Sequence, residues 1–286
     1  MHRWGYAPAT DVLAEELVGG RVEVEELRST IESSEKLREV DGFACLRGSE
    51  RLVTASRRRV RSNRRHEQAI RRVAGDFTRD LLRACPFIET VALSGSVASG
   101  AYEPGDDIDF DLFVQTGTKY VCYLIATLVG LKYAWRNRHA KMNTLHRTPL
   151  LPKLTCINVL WPADQTKPFV RQDAALAFEL LRCQPLVGAD RFQTVLADNP
   201  WLQSYFPQLF ERVPFDDLGP SPSPIRACLA AVGRRPRLLR FVEAASRRLA
   251  WIAYRFVQGT REQDPVARER MDFLRRVKYP YEVFQD

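Results

Sequence analysis

The chain has 286 residues, of which 45% are hydrophobic and 27% charged, which suffices for a buried core in two or three subdomains and excludes a largely disordered polymer. Its longest apolar run, residues 120–131, is shorter than a bilayer span, and no apolar segment follows the first basic residues, so we expect a cytoplasmic protein without membrane contact. An excess of 43 Lys and Arg over 35 Asp and Glu gives a net charge of +8, which favours polyanionic partners such as nucleotides or RNA.

Residues 1–50 predict a small module of two helices and a hairpin. Thr10 suits the N-cap of a helix that ends before Gly19-Gly20, and a second helix is expected over 24–35. Asp41-Gly42 then separates two short β-compatible runs, as in a two-residue hairpin. This order is similar to a winged-helix module, but the second helix has four glutamates and one arginine and would repel phosphate. We therefore expect packing or protein docking, and no sequence-specific DNA binding.

A basic stretch follows, "RRRVRSNRRHEQAIRR" over 57–72, with eight arginines and one glutamate. Its sparse apolar positions predict a partly helical segment. Two interpretations stay open. The arginines form either a solvated helix face or a surface for a triphosphate or an RNA backbone, because so many like charges crowd one another without an anion.

Residues 51–165 alternate helix and strand signals. The expected elements are a helix over 77–85 that stops at Pro86, strands from Thr90 and over 108–114, an almost entirely apolar helix over 118–135, and a third strand over 153–161. The pattern predicts an α+β fold whose mixed β-sheet is covered by helices.

After Pro162 the β signal ends, and segments with helical apolar spacing follow. We therefore expect residues 166–286 to form a helical domain. The six cysteines of the chain lie at least 27 residues apart, with neither a C-x-x-C pair nor a histidine at zinc spacing. They are expected to be reduced, buried thiols.

The stretch "LSGSVASGAYEPGDDIDFDLFV", residues 93–114, joins a glycine-serine turn to an acidic strand. Gly95 allows a phosphate to approach the backbone, and Ser96 offers a hydroxyl and a backbone N–H. Asp107, Asp109 and Asp111 alternate with apolar residues, so in a strand their carboxylates lie on one side, about 7 Å apart. These like charges call for a cation, and carboxylate oxygens suit Mg²⁺. A phosphate-binding turn beside a metal-binding strand is what two-metal phosphoryl transfer requires.

This stretch resembles the signature of the DNA polymerase β-like nucleotidyltransferase superfamily: an apolar residue, Gly, Gly or Ser, a spacer, then Asp, an apolar residue, and Asp or Glu. The G-x-Y-x-P segment over 100–104 is common in bacterial minimal nucleotidyltransferases. The resemblance covers about residues 85–165. The later "AFELLRCQPLVG" and "NPWL" segments look like one bacterial branch of the superfamily, so the resemblance implies a nucleotidyltransferase-type sheet core.

The resemblance also implies roles for these residues. Gly95 and Ser96 would hold the β- and γ-phosphates of a nucleoside triphosphate such as ATP, and Asp107 with Asp109 would bind two Mg²⁺, or Mn²⁺ in their place. A second register, Asp109 with Asp111, also fits, but the first leaves residues 100–104 unshifted. The superfamily adds a third carboxylate from a neighbouring strand, and 153–161 contains none. Asp111 is the expected substitute, and the next candidates are Asp164 and Glu179.

Three functions follow as hypotheses. The first is transfer of a nucleoside monophosphate to a hydroxyl of an unidentified acceptor, which could be RNA, a small molecule or a protein. The second is a nucleotide-binding regulator that kept the pocket and lost efficient chemistry, as the missing third acid permits. The third is a nucleic-acid-binding module whose acidic strand is incidental.

Overall fold

The computed structural model describes residues 6–104, 106–137, 154–211, 219 and 222–262. Within these ranges the α-helices are α1 Thr10–Glu15, α2 Val24–Ser33, α3 Arg51–Ala84, α4 Gly95–Ala98, α5 Lys119–Arg136, α6 Ala174–Arg182, α7 Ala189–Ala197, α8 Leu202–Tyr205, α9 Pro224–Gly233 and α10 Pro236–Glu262. The strands are β1 Leu37–Val40, β2 Phe43–Leu46, β3 Ile88–Leu93, β4 Ile108–Val114, β5 Thr155–Pro162 and β6 Gln184–Val187. Outside the described residues lie 1–5 of the predicted N-terminal module, 105 and 138–153 of the predicted core, and 212–218, 220–221 and 263–286 of the predicted helical domain.

The N-terminal module contains the two predicted helices, α1 and α2, and the predicted hairpin. Strands β1 and β2 pair antiparallel, and Asp41 and Gly42 between them have φ values of 55° and 79°. Positive φ at both turn residues matches the twist of the strands, which is why an Asp-Gly pair is favoured there. The similarity of this module to a winged helix stays a prediction.

The basic stretch belongs to one long helix. We expected a helix to begin near Phe77, but α3 runs through 34 residues from Arg51, a length of about 51 Å. No proline interrupts it, so the polar half continues into the buried half. The buried half contributes Ile70, Ala74 and Leu81 to the core, whereas most of the arginines lie on the opposite side of the helix.

A mixed four-stranded sheet has the order β5-β4-β3-β6. Strand β4 pairs parallel with β5 and antiparallel with β3, and β3 pairs antiparallel with β6. Phe110 and Leu112 of β4 pack with α3 and α5 on one face, while Phe113 packs with α6 and α7 on the other. The predicted mixed sheet covered by helices is therefore confirmed. No helix in the described parts of the chain has the length and apolar character needed to cross a membrane.

Strand β6 corrects one expectation from the sequence. We expected no strand after Pro162, yet residues 184–187 pair with β3. The strand has four residues, and its second residue, Pro185, has no N–H to donate, so it suits the edge of the sheet. The segment after residue 166 thus supplies one strand of the core sheet, as well as α6, α7 and α10 where helices were expected.

The turn between β6 and α7 gives a test of the packing on β3. Gly188 and Gly117 have φ values of 72° and 74°, but a Cβ on Gly188 would lie 1.9 Å from the carbonyl oxygen of Glu89, while nothing lies within 4 Å at Gly117. We expect Gly117→Ala to cost about 1 kcal/mol of unfolding free energy, for the left-handed conformation alone. Gly188→Ala should cost about 3 kcal/mol, because β3 must also move. Urea unfolding measures both, and equal losses would contradict the tight contact.

Candidate active site

The turn after β3 lies directly against the acidic strand. The Ser94 N–H donates to the Asp109 carbonyl oxygen at 3.0 Å, and Gly95 has a φ of 61°. A Cβ on Gly95 would lie 2.1 Å from Asp109 Oδ2. Glycine is therefore required here for two reasons. The backbone has a left-handed conformation, and the Asp109 carboxylate occupies the space that a side chain would need. The turn and the carboxylate form one compact surface.

Ser96 lies next in this turn, at the start of α4. Its carbonyl oxygen accepts the Ala101 N–H at 2.9 Å, which closes the loop that leads toward the aspartates. Its Oγ is buried and has no hydrogen-bond partner among the described residues. A buried hydroxyl without a partner costs about 1–3 kcal/mol, so this atom would gain from a hydrogen bond to a bound ligand.

Two of the three predicted aspartates converge with a cysteine. Asp107, just before β4, and Asp109, within it, each place a carboxylate oxygen within 4.8 Å of the other and of Cys156 Sγ. Cys156 is the parallel neighbour of Asp109 in the register of β4 and β5, so the strand pairing itself brings the thiol to the carboxylates. These are the aspartates of the first register. Sequence reasoning missed Cys156, because a single cysteine has no diagnostic spacing.

The donor set fits a divalent metal, and it contains ligands that suit metals other than Mg²⁺ as well. Two carboxylates are suitable ligands for Mg²⁺, and the buried Ser96 Oγ adds a polar group in the turn that contacts Asp109. A thiolate is a softer ligand that Mg²⁺ does not favour and that zinc accepts. The geometry therefore supports a metal site at Asp107, Asp109 and Cys156 without fixing which metal it takes.

Asp111 lies deeper on the same face of β4 and outside this group of ligand atoms. It is 1% exposed, and it accepts hydrogen bonds from the Asn158 amide at 3.2 Å and the Cys183 thiol at 3.2 Å. Burial raises the pKa of Asp111 to about 6, although bonds from Cys183, Ser94 and Asn158 oppose the rise. Its role as a metal ligand stays a prediction; its present partners are those of a group that supports the sheet.

Glu179 of α6 lies next to Asp111. The Asn158 amide nitrogen also donates to Glu179 Oε1 at 3.2 Å, so one amide bridges two carboxyl groups. Burial and the neighbouring Asp111 charge raise the pKa of Glu179 to about 8. The other candidate for a third acid, Asp164, is exposed in a 3₁₀ turn after the far end of β5. Neither residue belongs to the Asp107–Asp109–Cys156 group.

Helix α3 holds the loop that precedes the aspartates. Arg59 donates to the Ala101 carbonyl oxygen at 3.0 Å and to Asp106 at 3.3 Å, and Arg58 pairs with Glu103 at 2.6 Å. The basic stretch therefore adjoins the candidate site. Two other arginines of the stretch form ion pairs, Arg57 with Asp41 and Arg71 with Glu67. The remaining arginines form no hydrogen bond or ion pair with another described residue. The arginines left over are Arg61, Arg64, Arg65 and Arg72.

Comparison with known proteins adds no relative: no protein-family model matches the chain, and neither a curated protein nor a solved structure is detectably similar to it. The resemblance to nucleotidyltransferases thus rests on the sequence motif over residues 93–114.

The buried carboxyl pair predicts how stability depends on pH. A carboxyl group whose pKa is raised by folding keeps a proton that the unfolded chain has released, so the free energy of unfolding falls as pH rises from about 4 to about 8. Glu179→Gln removes one such group and can still accept from Asn158. Relative to wild type, we expect this variant to gain roughly 3–4 kcal/mol between pH 5 and pH 8.

Urea unfolding at both pH values, with a chelator present, measures this gain. Glu32→Gln, at an exposed position of α2, controls for the substitution itself. An equal free energy difference between wild type and Glu179→Gln at the two pH values would contradict the raised pKa of Glu179.

Proposed function

We propose that this protein is a metal-dependent nucleotidyltransferase that moves a nucleoside monophosphate from a nucleoside triphosphate to a hydroxyl of an acceptor. The observation that carries this proposal is the contact of the Gly95 turn with the Asp109 carboxylate. A phosphate-binding turn and a metal-binding acid must lie this close if one triphosphate is to touch both. The nucleotidyltransferase-type arrangement of the sheet core is part of the same proposal.

In this function the acceptor hydroxyl releases its proton to solvent and its oxygen bonds to the α-phosphorus. The bond from that phosphorus to the bridging oxygen breaks, and pyrophosphate leaves. The backbone at Gly95 and the Ser96 hydroxyl would hold the β- and γ-phosphates. Asp107 and Asp109 would hold the metal, with Asp111 and Asn158 fixing the strands beneath them. A metal held by these residues would lower the pKa of the attacking hydroxyl and would stabilise the charge on the departing pyrophosphate.

A nucleotide-binding regulator is the second candidate. It is favoured by one observation: β5 brings a thiol, Cys156, to the two aspartates where the superfamily has a carboxylate. The two functions separate when the purified protein is incubated with each α-phosphate-labelled triphosphate, Mg²⁺ or Mn²⁺, total RNA and a small-molecule pool. Label on an acceptor with pyrophosphate release supports transfer, saturable nucleotide binding alone supports the regulator, and metal-independent RNA binding alone supports a nucleic-acid-binding module.

The acceptor is proposed to be a polyanion such as RNA, because arginines of α3 extend from the site. Arg58 and Arg59 contact the loop before the aspartates, and the arginines that pair with no other described residue continue along the outward side of the same helix. Residues 61–72 span about 16 Å of helix, enough for several backbone phosphates. The charge of the whole chain, +8, acts in the same direction.

The metal-binding role of the aspartates is tested with Asp109→Ala. Loss of a charged ligand that acts in the transition state should lower turnover by roughly a thousandfold or more. The variant should keep its fold, since Asp109 is only partly buried; circular dichroism checks this. Asp164→Ala removes an exposed carboxylate elsewhere and should leave turnover unchanged. Full activity in Asp109→Ala would contradict the metal-binding role of the aspartates, because Asp109 belongs to both registers.

The acceptor surface is tested by charge removal on α3. Replacing Arg61, Arg64, Arg65 and Arg72 with Gln should raise the KM for a polyanionic acceptor. The slope of log affinity against log salt should also fall, by about one for each phosphate group that the helix no longer binds.

The matched control for this set removes the same charge from exposed positions at the start of α10 and the turn before it, by changing Arg234, Arg235, Arg237 and Arg240 to Gln. We expect the control set to keep the wild-type salt slope. Identical slopes for wild type and both sets would show that the outward face of α3 is only solvated.

A further inference from the structure

We propose that Cys156 is a metal ligand and that the site binds a thiophilic divalent metal of the zinc class more tightly than Mg²⁺. The use of that metal in nucleotidyl transfer rests on the proposed function, whereas its binding does not. Asp107, Asp109 and Cys156 would supply three protein ligands, which leaves a coordination position open for a water or a phosphate oxygen, as in catalytic zinc sites.

The strand register supports this assignment. Cys156 pairs with Asp109 across β4 and β5, and the ligand atoms of the three residues lie within 4.8 Å of one another. Ligands of one tetrahedral zinc ion lie about 3.5 Å apart, given bond lengths of about 2.0–2.3 Å. The three groups would therefore have to approach one another by at most about 1.3 Å to surround one ion.

The surroundings of Cys156 differ from those of the packing cysteines. Cys45, Cys85, Cys122 and Cys183 are buried, whereas Cys156 is partly exposed, on the side of the sheet where the carboxylates converge. The turn beside Asp109 adds one more polar group to this surface. The buried Ser96 Oγ, in the turn that touches Asp109, has no hydrogen-bond partner among the described residues.

The chemistry of the donors decides the class of metal. Mg²⁺ takes oxygen ligands and keeps several of its waters, so a Mg²⁺ site would gain nothing from the sulfur. Thiolate ligands favour zinc and other late first-row metals over Mg²⁺. A carboxylate in place of Cys156 should narrow this preference, which makes the single position a determinant of metal choice.

Cobalt is the direct probe, because Co²⁺ bound to a thiolate has an intense near-ultraviolet charge-transfer absorption that carboxylate-bound Co²⁺ lacks. Titration of the full chain, freed of metal, with Co²⁺ should give this absorption in wild type and in Cys228→Ser, the control at the exposed cysteine of α9. It should be absent in Cys156→Ser. Chelator competition should show Zn²⁺ affinity at least about tenfold weaker in Cys156→Ser. Cys156→Asp should bind Mg²⁺ more tightly than wild type does.

Alkylation of the wild-type chain gives a second measurement that needs no variant to fold. Zn²⁺ should protect Cys156 from iodoacetamide while Cys228 stays reactive, as mass spectrometry of the peptides would report. Missing charge-transfer absorption together with unprotected Cys156 would overturn the metal assignment, even if Mg²⁺-dependent transfer is found. Absorption and protection in a protein that transfers no nucleotide would support the assignment while the proposed function fails.

Discussion

One amide nitrogen holds together the part of the sheet on which the candidate site lies. Asn158 Nδ2 has two hydrogens, which it donates to Asp111 of β4 and Glu179 of α6, and it also lies 3.4 Å from the Ser94 hydroxyl after β3. Cys183, before β6, donates its thiol to Asp111. Residues in or next to all four strands of the sheet thus meet in one polar cluster, in which Asn158 and Glu179 are partly buried and the other members are buried. Such a cluster is stable only while its members are mutually satisfied, so it constrains where Ser94, and with it the Gly95 turn, can lie.

The aspartates of the acidic strand fall into two groups that differ in burial and in partners. Asp107 and Asp109 converge with a thiol near solvent. Asp111 is buried, and burial raises its pKa, so it keeps its proton to a higher pH than an exposed aspartate does. A charge that is costly to bury is tolerated at Asp111 because three neighbours donate to it. The same residue type, repeated at every second position, therefore has different chemistry at different depths.

Much of the fold was predictable because it depends on local patterns. The Asp41-Gly42 hairpin, β4 and the apolar helix α5 follow from turn chemistry and periodicity. Strand β6 was not predictable, because four residues that include a proline are too few to show an alternation of apolar and polar positions. The acidic pair Asp107 and Asp109 was predicted by its spacing, but Cys156 is 47 residues further along the chain, and only the pairing of β5 with β4 brings it near. The bond network of Asn158 likewise depends on tertiary contacts that no local pattern contains.

The edge formed by β6 limits how the sheet can grow. Exposed strand edges serve as templates on which another chain adds a strand through its main-chain hydrogen bonds. Strand β6 offers only four residues for such pairing, and Pro185 removes one donor from them. Few main-chain bonds are available to an incoming strand on this side, so self-association by sheet extension is disfavoured there, and recognition on this side has to rely on side chains.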